Sequence, residues 1–593
     1  MTSSMLDLRQ LIAALKNANE IVEIHEEVDP FLELAEIHRR VAAADGPALL
    51  FKRVKGSSFP VVTNLFGSKK RIQIAFQNRP EEVLADLVQF LTRDFPPKPM
   101  QLWKKRSLLS SVLKVGLKNK KGPVFESKMK EVDLEKIPLL TSWPKDGGPF
   151  ITLPLVYTEP VGGGPHNLGM YRIQRYSKSE TGLHWQIGKG CGFHYAQAEE
   201  KNLSLPVNIT LGGPPALILS AIAPLPENVP ELLLASFLQG EKLKTSRVKE
   251  SPYPIVSQAE FVLIGEARPY ERRLEGPFGD HYGYYSLAHD FPVFKCKAIY
   301  HRKDAIYPAT VVGKPRQEDF YIGDYLQELL SPLFPVVMPA VKALWSFGET
   351  GFHALSAAIV KERYERECMT SAFRILGEGQ LSLTKFLLLT NVDVDVRDIK
   401  AVLKAILERF QPEKDLFIFS NLSLDTLDYT GPKLNHGSRG VMLGIGDPIR
   451  VLPEQFIGPL PIGINAALPF CPGCLVIEGV YPDLSELVKH PSFAPWPLII
   501  LVDDVKATLK NTPAFLWTVF MRFEPAADIY AASTVIYRNH LARSGPILIN
   551  ARMKAKYPDV VMCDEKTAST VTKRWSSYFP QGMQMGDSLD AHV

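Results

Sequence analysis

Two stretches near the C-terminus restrict the fold more than any other feature of the chain. "FLLLTNVDVDVRDIKAVLKAILERFQPEKDLFIFS" begins at Phe386, and "PLIILVDDVKATLKNTPAFLWTVFMRFEPAADIYAAS" begins at Pro497. Each reads as an apolar strand, an acidic turn, a helix, then R-F-x-P-x-x-D and a second strand. Arg409, Phe410, Pro412 and Asp415 keep the register of Arg522, Phe523, Pro525 and Asp528. Four identities inside one matched strand–helix–strand order mark two copies of one supersecondary unit, 386–420 and 497–533. Two copies are too few for a solenoid. A length of 593 residues allows two to four domains, and the repeat makes 326–593 an α/β domain.

The rest of the chain divides by pattern. In 1–122, "MLDLRQLIAALKNA" has helical spacing at Leu8, Leu11, Ile12 and Leu15, "EIVEIHEEV" and "PALLFKRV" read as strands, and "RPEEVLADLVQFLTRDF" reads as a helix. This is an α/β module ending in a connector. The connector, residues 96–122, carries eight Lys or Arg between Lys98 and Lys121 and no acid among them. A basic amphipathic stretch of this kind either packs one face on its own protein or lies on an anionic membrane surface. Residues 123–325 are a series of short strand-like runs with one interrupting helix, "PENVPELLLASFLQGE", which suits a β-barrel or sandwich. The expected fold class is therefore α+β and α/β, multidomain.

Several function classes are excluded at this point. A net charge of +4 on this length does not argue for nucleic acid. No basic n-region with an apolar h-region opens the chain, so no secretory signal is expected, and a cytoplasmic location is. Six cysteines are too few for a disulfide scaffold. "FCPGCL" holds one CxxC pair without a second pair or histidines at ligand spacing, which favours a tight turn over a zinc site. G-x-G-x-x-G after a strand, the P-loop, H-E-x-x-H and G-x-S-x-G are all missing.

What remains is a polar set in the β-rich middle. "RRLEGPFGDHYGYYSLAHDFPVF" places Glu275 and Asp280 in a glycine- and aromatic-rich turn, too broken for a helix and too apolar for a solvated loop. Asn167 and Arg172 lie in "GGGPHNLGMYRIQRY", and Glu231 in "PLPENVPELLL". If 167–172 is one strand, Asn167 and Arg172 face opposite sides. Arg172 with Glu275 also reads as a structural ion pair.

These residues sit inside motifs that resemble the UbiD family of prenylated-FMN-dependent decarboxylases. The likeness runs through "DGPALLFKRVKGSSFPVVTNLFGS", "IPLLTSWPKDGGPFIT", "NLGMYRIQ", "GPPALILSAIAPLPENVPE", "LEGPFGDHYGYY", "HRKDAIYPATVVGKP" and "LDTLDYTGPKLNHGSRG". It is nearest to the 3-polyprenyl-4-hydroxybenzoate decarboxylase type, with an extended C-terminus. The resemblance implies a flavin-reductase-like split β-barrel for 123–325 and an oligomerisation role for 326–593. It implies prenylated FMN as cofactor, because loss of carbon dioxide leaves an electron pair that no side chain can hold. Asp280 falls at the family's proton donor, with Glu275 and Arg172 as its partners. Two neighbouring carboxylates in a dry pocket do not both ionise cheaply, so one is expected to keep a proton near neutral pH. Asn167 and Glu231 fall at ligands of a divalent metal, Mn or Mg, bridging to the flavin phosphate. The family's third ligand, a His, falls at Gly188 or Lys189. Either the metal site is altered or the Lys189 ammonium serves as a counter-charge to the phosphate. Arg439 falls at a basic phosphate contact.

The resemblance further implies an aromatic acid substrate, a flavin prenyltransferase as cofactor supplier, and a homo-oligomer, dimer or hexamer. Three functions stay open. The first is decarboxylation of a polyprenylated hydroxybenzoate or a dihydroxynaphthoate in quinone biosynthesis, with the basic connector resting at the inner membrane face. The second is decarboxylation of a small aromatic or heteroaromatic acid. The third is a non-catalytic flavin-binding protein.

Overall fold

The computed structural model describes residues 5–89, 92, 114–185, 190–223, 230–314 and 316–587. They form two compact units: Met1–Leu329 with the segment from Asp559 onward, and Leu330–Pro558. The last domain was expected to run unbroken to the C-terminus. Instead the chain leaves the second unit at Asp559 and returns to the first. Most of the basic connector lies outside the described residues. Its described end includes Leu117–Asn119, a strand paired with Leu243–Val248. Among the described residues, no helix is long and apolar enough to cross a membrane.

The first unit opens with helix Leu8–Asn17, which Asp7 caps by accepting from the Gln10 N–H at 2.9 Å. Its apolar stripe, Leu8, Leu11, Ile12 and Leu15, is buried. The neighbouring sheet runs Ile21–Val28, Ala48–Val54, Val61–Thr63, Tyr307–Pro308, so its last strand is supplied by a segment far along the chain. The C-terminal helix Glu565–Tyr578 closes the module by packing on helix Glu33–Ala43. Polar groups organise that contact. Glu36, fully buried, takes ion pairs from Arg39 at 2.9 Å and Arg40 at 2.7 Å. Arg40 then reaches Thr572 Oγ1 at 2.7 Å and the Ala568 carbonyl at 3.0 Å.

The central sheet is antiparallel, in the order Phe150–Ile151, Ile173–Arg175, Glu180–Leu183, His289–His301, Phe261–Glu275, Leu205–Leu211, Pro154–Thr158, Asn167–Met170. Connectivity forces this sheet to curl. Strands Phe150–Ile151 and Pro154–Thr158 are joined by two residues, yet one opens the order and the other is next to last in it. Three Cα steps span at most about 11 Å, so the two ends must approach each other. The link from Met170 to Ile173 crosses the same gap. The result is a half-barrel whose seam is bridged by chain crossings rather than by a hydrogen-bonded ladder. Its interior is apolar, with Ile151, Val156, Ile173, Leu183, Leu263 and Phe294 buried.

In the second unit the sequence repeat appears as two five-stranded sheets. One runs Val341–Ser346, Leu355–Val360, Phe386–Thr390, Gly437–Gly444, Leu416–Leu422. The other runs Ile464–Cys471, Cys474–Gly479, Leu498–Val502, His540–Asn550, Ile529–Tyr537. Both have the same succession of antiparallel, parallel, parallel and antiparallel pairings. "CPGC" is the hairpin turn of the second sheet: Cys471 pairs with Cys474 across Pro472-Gly473, with Gly473 at a φ of 80° and both thiols free.

Glu36→Gln should destabilise the first unit by about 3–5 kcal/mol, because it leaves two buried guanidinium groups without their carboxylate. Urea unfolding followed by tryptophan fluorescence measures this. An unchanged midpoint would mean that the ion triad does not support the docking of the C-terminal helix.

Candidate active site

Arg172 sits on the crossing that bridges the half-barrel seam, between Asn167–Met170 and Ile173–Arg175. The expectation that Asn167 and Arg172 share a strand and face opposite sides does not hold, because the chain changes sheet ends between them. Glu275 ends the long strand Phe261–Glu275. After Gly276-Pro277, Phe278–Gly279 pairs with Tyr285–Ser286, and Asp280 opens the turn between them. The stretch that carries both acids is therefore a strand end plus a small hairpin.

The three residues meet. Arg172 Nε and Nη2 donate to the two oxygens of Glu275 at 2.8 and 3.1 Å, and Nη1 donates to Asp280 Oδ2. Nη2 also donates to Ser286 Oγ at 2.8 Å. The Phe278 ring lies 4.8 Å from the guanidinium carbon. Glu275 is fully buried, and Asp280 and the Arg172 side chain are nearly so. His184 Nδ1 stands 3.2 Å from Glu275 Oε2, and its ring packs against Phe291. His281 Nδ1 lies 2.7 Å from Asp280 Oδ1.

Burial alone would raise both carboxyls. For Glu275 the Arg172 charge and the His184 hydrogen bond outweigh it and bring the group down to about 2. For Asp280 burial is again opposed, by Arg172 and then His281, and the group is held well below the usual carboxylate range. One of the two acids was expected to keep a proton. The geometry instead favours the ionised form of both, because one guanidinium lies between them and serves both. A higher-titrating carboxyl is close by: burial, with a smaller contribution from Asp280, pushes Asp319 up to about 6 against the pull of His281.

The turn that carries Asp280 is pinned from outside. Asp146 Oδ1 accepts from the Gly279 N–H at 2.8 Å, and Oδ2 accepts from the Ser142 and Trp143 N–H groups at 2.9 Å each. A Cβ at Gly279 would come within 2.0 Å of Trp143, so that position needs glycine. The C-terminal segment adds two more clamps: Tyr285 N–H donates to the Asp559 carbonyl at 3.0 Å, and Val561 N–H to the Gly283 carbonyl at 3.0 Å. Sequence reasoning gave no role to His281, Ser286, Asp146 or this returning segment, and weighed His184 only as a histidine out of register for the metal site. His281 adjoins Asp280 in sequence, and Asp146 lies inside the motif "IPLLTSWPKDGGPFIT"; those were the available signals.

Asn167 and Glu231 occupy a second neighbourhood. Asn167 Nδ2 donates to Cys191 Sγ at 3.0 Å. Glu231 begins helix Glu231–Gln239, receives a backbone hydrogen bond from Leu168, and is pushed up to about 7 by burial. His166 lies 3.8 Å from it and is driven by burial to about 4, so it brings no positive charge. Glu231 Oε2 is buried with no hydrogen-bond partner among the described residues. A buried carboxylate oxygen without a donor is a ready ligand for a hard cation. Lys189 and Gly188 lie outside the described residues. Arg439 lies in the second unit, where its guanidinium donates to the Leu376 carbonyl at 3.2 Å and to Ser423 O and Oγ at 3.0 and 3.1 Å.

Three domains of one family match the chain: the 3-octaprenyl-4-hydroxybenzoate carboxy-lyase N-terminal domain at 12–91, its Rift-related domain at 116–315 and its C-terminal domain at 320–444. A Chlamydia pneumoniae protein, named as one of the subunits of 4-hydroxybenzoate decarboxylase, is 52% identical over 97% of this chain and 98% of its own. The vanillic acid decarboxylase of Sedimentibacter hydroxybenzoicus has a similar fold, with a TM-score of 0.65 at 24% identity over 82% of this chain and 100% of that one. HmfF from Pelotomaculum thermopropionicum, solved with FMN, is similar at a TM-score of 0.61 and 23% identity, covering 77% and 97%.

Arg172→Met tests the shared cation. It leaves two buried carboxylates uncompensated, so their folded-state values should rise above the unfolded ones, about 4. Such groups destabilise at high pH and cost nothing once protonated in both states. The stability deficit should therefore reach about 3–5 kcal/mol near pH 7 and shrink toward pH 4. Urea unfolding at several pH values reads it, and a deficit independent of pH would contradict the shared-charge account.

Proposed function

The chain belongs to the UbiD family of carboxy-lyases, and from that premise we propose that it decarboxylates a hydroxylated aromatic acid without oxidation, with prenylated FMN bound at the half-barrel. The observation that carries this is the buried Arg172–Glu275–Asp280 cluster on the barrel seam, a charged set that a purely structural barrel has no need of. When bound, the cofactor supplies the electron sink that side chains lack.

The residues of the chain account for the rest. Glu275 and Ser286 hold the Arg172 guanidinium in one orientation. An arriving carboxylate competes with Asp280 for Nη1, which already serves it. As Arg172 turns toward the substrate, Asp280 Oδ2 loses its counter-charge and its proton affinity rises. It is then the acid that returns a proton to the carbon from which carbon dioxide leaves. His281 at Oδ1 restores that proton from the Asp319 side, so each turnover consumes one proton and leaves the cluster as it began. Phe278 and Phe291 keep the cluster dry, which strengthens each of these charge effects.

Asn167 and Glu231 would hold a divalent cation, Mn or Mg, which would offset the charge of a cofactor phosphate. The orphaned Glu231 oxygen supports this, and the Lys189 ammonium is proposed as an added counter-charge. Two substrate readings have support. The description of the matched domains favours a polyprenylated 4-hydroxybenzoate, with a prenylated dihydroxynaphthoate as the related alternative, both quinone precursors. The name of the chlamydial relative favours 4-hydroxybenzoate itself. We favour the prenylated acid, since the basic connector would bring the chain to an anionic lipid surface where such an acid resides.

Co-expression with a flavin prenyltransferase, followed by mass spectrometry of the retained cofactor and assay of both acids, decides this. Prenylated FMN should be retained, and the prenylated acid should turn over faster. Retention of unmodified flavin only, with no turnover of either acid, would overturn the assignment. Asp280→Asn should retain cofactor and lose turnover by about 10²-fold or more, as expected for a positioned acid. Glu231→Ala should lose cofactor instead, with the loss visible in the flavin absorbance of the purified protein. Full retention of cofactor in that variant would remove Glu231 from the binding site.

A further inference from the structure

The second unit closes a two-fold interface inside one polypeptide. Call the sheet Val341–Gly444 with its helices the first copy, and Ile464–Asn550 the second. Contacts between them come in matched pairs. The short helix Pro412–Asp415 of the first copy packs on strand His540–Asn550 of the second, and its counterpart Pro525–Asp528 packs on Gly437–Gly444 of the first. Helix Ile399–Leu407 of the first copy meets Ile464–Cys471, the opening strand of the second; helix Thr512–Arg522 of the second meets the turn Gly348–Thr350 that follows the opening strand of the first. Each element touches the counterpart of the element that touches it. That reciprocity is the mark of an isologous contact between two copies of one fold.

The interface is packed as a core. Phe386 lies 5.4 Å from Phe523 and 6.3 Å from Phe520, and Phe523 is fully buried. Lys400 Nζ lies over Phe470 at 4.9 Å. Ser438 Oγ donates to Glu524 Oε1 at 3.1 Å and accepts from the Ala526 N–H at 2.9 Å. His540 Nε2 donates to the Glu413 carbonyl at 3.1 Å.

The copies have diverged where charge is buried. Strand pairing puts Phe386 opposite Gly440 in the first copy and Leu498 opposite Ile547 in the second. In that register Arg439 corresponds to Pro546, and Lys385 to Pro497. Buried Lys385 pairs with buried Asp428 at 2.7 Å, from the loop between Leu422 and Gly437. The second copy replaces that loop with a two-residue turn, Arg538-Asn539, both at positive φ. The matched family region also ends at 444, before the second copy begins. The second copy has kept the scaffold and its docking face and has no counterpart of Lys385, Asp428 and Arg439.

We propose that the second copy is a built-in partner: it occupies the face of the first copy that another protomer would occupy in a two-fold dimer, so this chain satisfies that face within itself and does not self-associate through it. The inference stands apart from the decarboxylase reading and needs no cofactor to test. In the full-length chain, Glu413→Cys with His540→Cys is treated with a short bis-maleimide, the native thiols being buried. Denaturing electrophoresis and intact mass should show a cross-link confined to one chain and independent of protein concentration. A mixture of the two single-cysteine variants should give at least tenfold less product. A cross-linked species of two chains, from the double variant, from either single variant or from the mixture at comparable yield, would overturn the proposal, as would absence of any cross-link in the folded double variant.

Discussion

One guanidinium between two buried carboxylates sets the character of the whole site. Arg172 neutralises only one of the two charges on Glu275 and Asp280, so the cluster carries a net negative charge away from water. That is tolerable only if every remaining lone pair is matched by a donor. The surroundings supply them: His184 at Glu275 and His281 at Asp280. The same imbalance makes the cluster responsive. Any ligand that draws Arg172 away changes the proton affinity of the carboxylate left behind, without moving the backbone.

Holding that balance requires the three groups to be fixed by different parts of the chain. Arg172 is placed by the crossing that bridges the half-barrel seam, Glu275 by the end of the longest strand, and Asp280 by a small hairpin. The hairpin is too short to be rigid alone. It is held by Asp146 through the Gly279 N–H, by Trp143 against the glycine, and by the segment after Asp559, which reaches it once the chain has left the second unit. The C-terminal segment thus supports the turn that bears the proposed acid.

The second unit shows a different use of duplication. Two copies of one sheet meet through equivalent surfaces, and only the first carries the buried Lys385–Asp428 pair and Arg439. Duplicating the fold inside the chain frees one copy from the chemistry its partner retains, while preserving the packing that both need.

Much of this was legible in the sequence where the signal is local. Apolar periodicity marked the first helix, and the R-F-x-P-x-x-D identities marked the repeat, because both depend on neighbours in sequence. The Glu275–Asp280 turn was recognisable from its glycines and aromatics, and the family motifs pointed to Arg172, Asn167 and Glu231. The strand pattern did not reveal that the chain switches sheet ends between Asn167 and Arg172, since a crossing of two residues leaves no periodicity to read. Which carboxyl holds a proton depended on Arg172 standing between both, a distance that composition does not contain. Asp146 lies inside a family motif that gave it no role, and the returning C-terminal segment carries no motif, because both act by exchanging backbone hydrogen bonds across large sequence separations. Order along the chain was enough for the elements, the repeat and the identity of the charged residues. The closure of the barrel and the sharing of one cation between two acids arise only when folding brings distant groups together, because electrostatic energy depends on distance and burial.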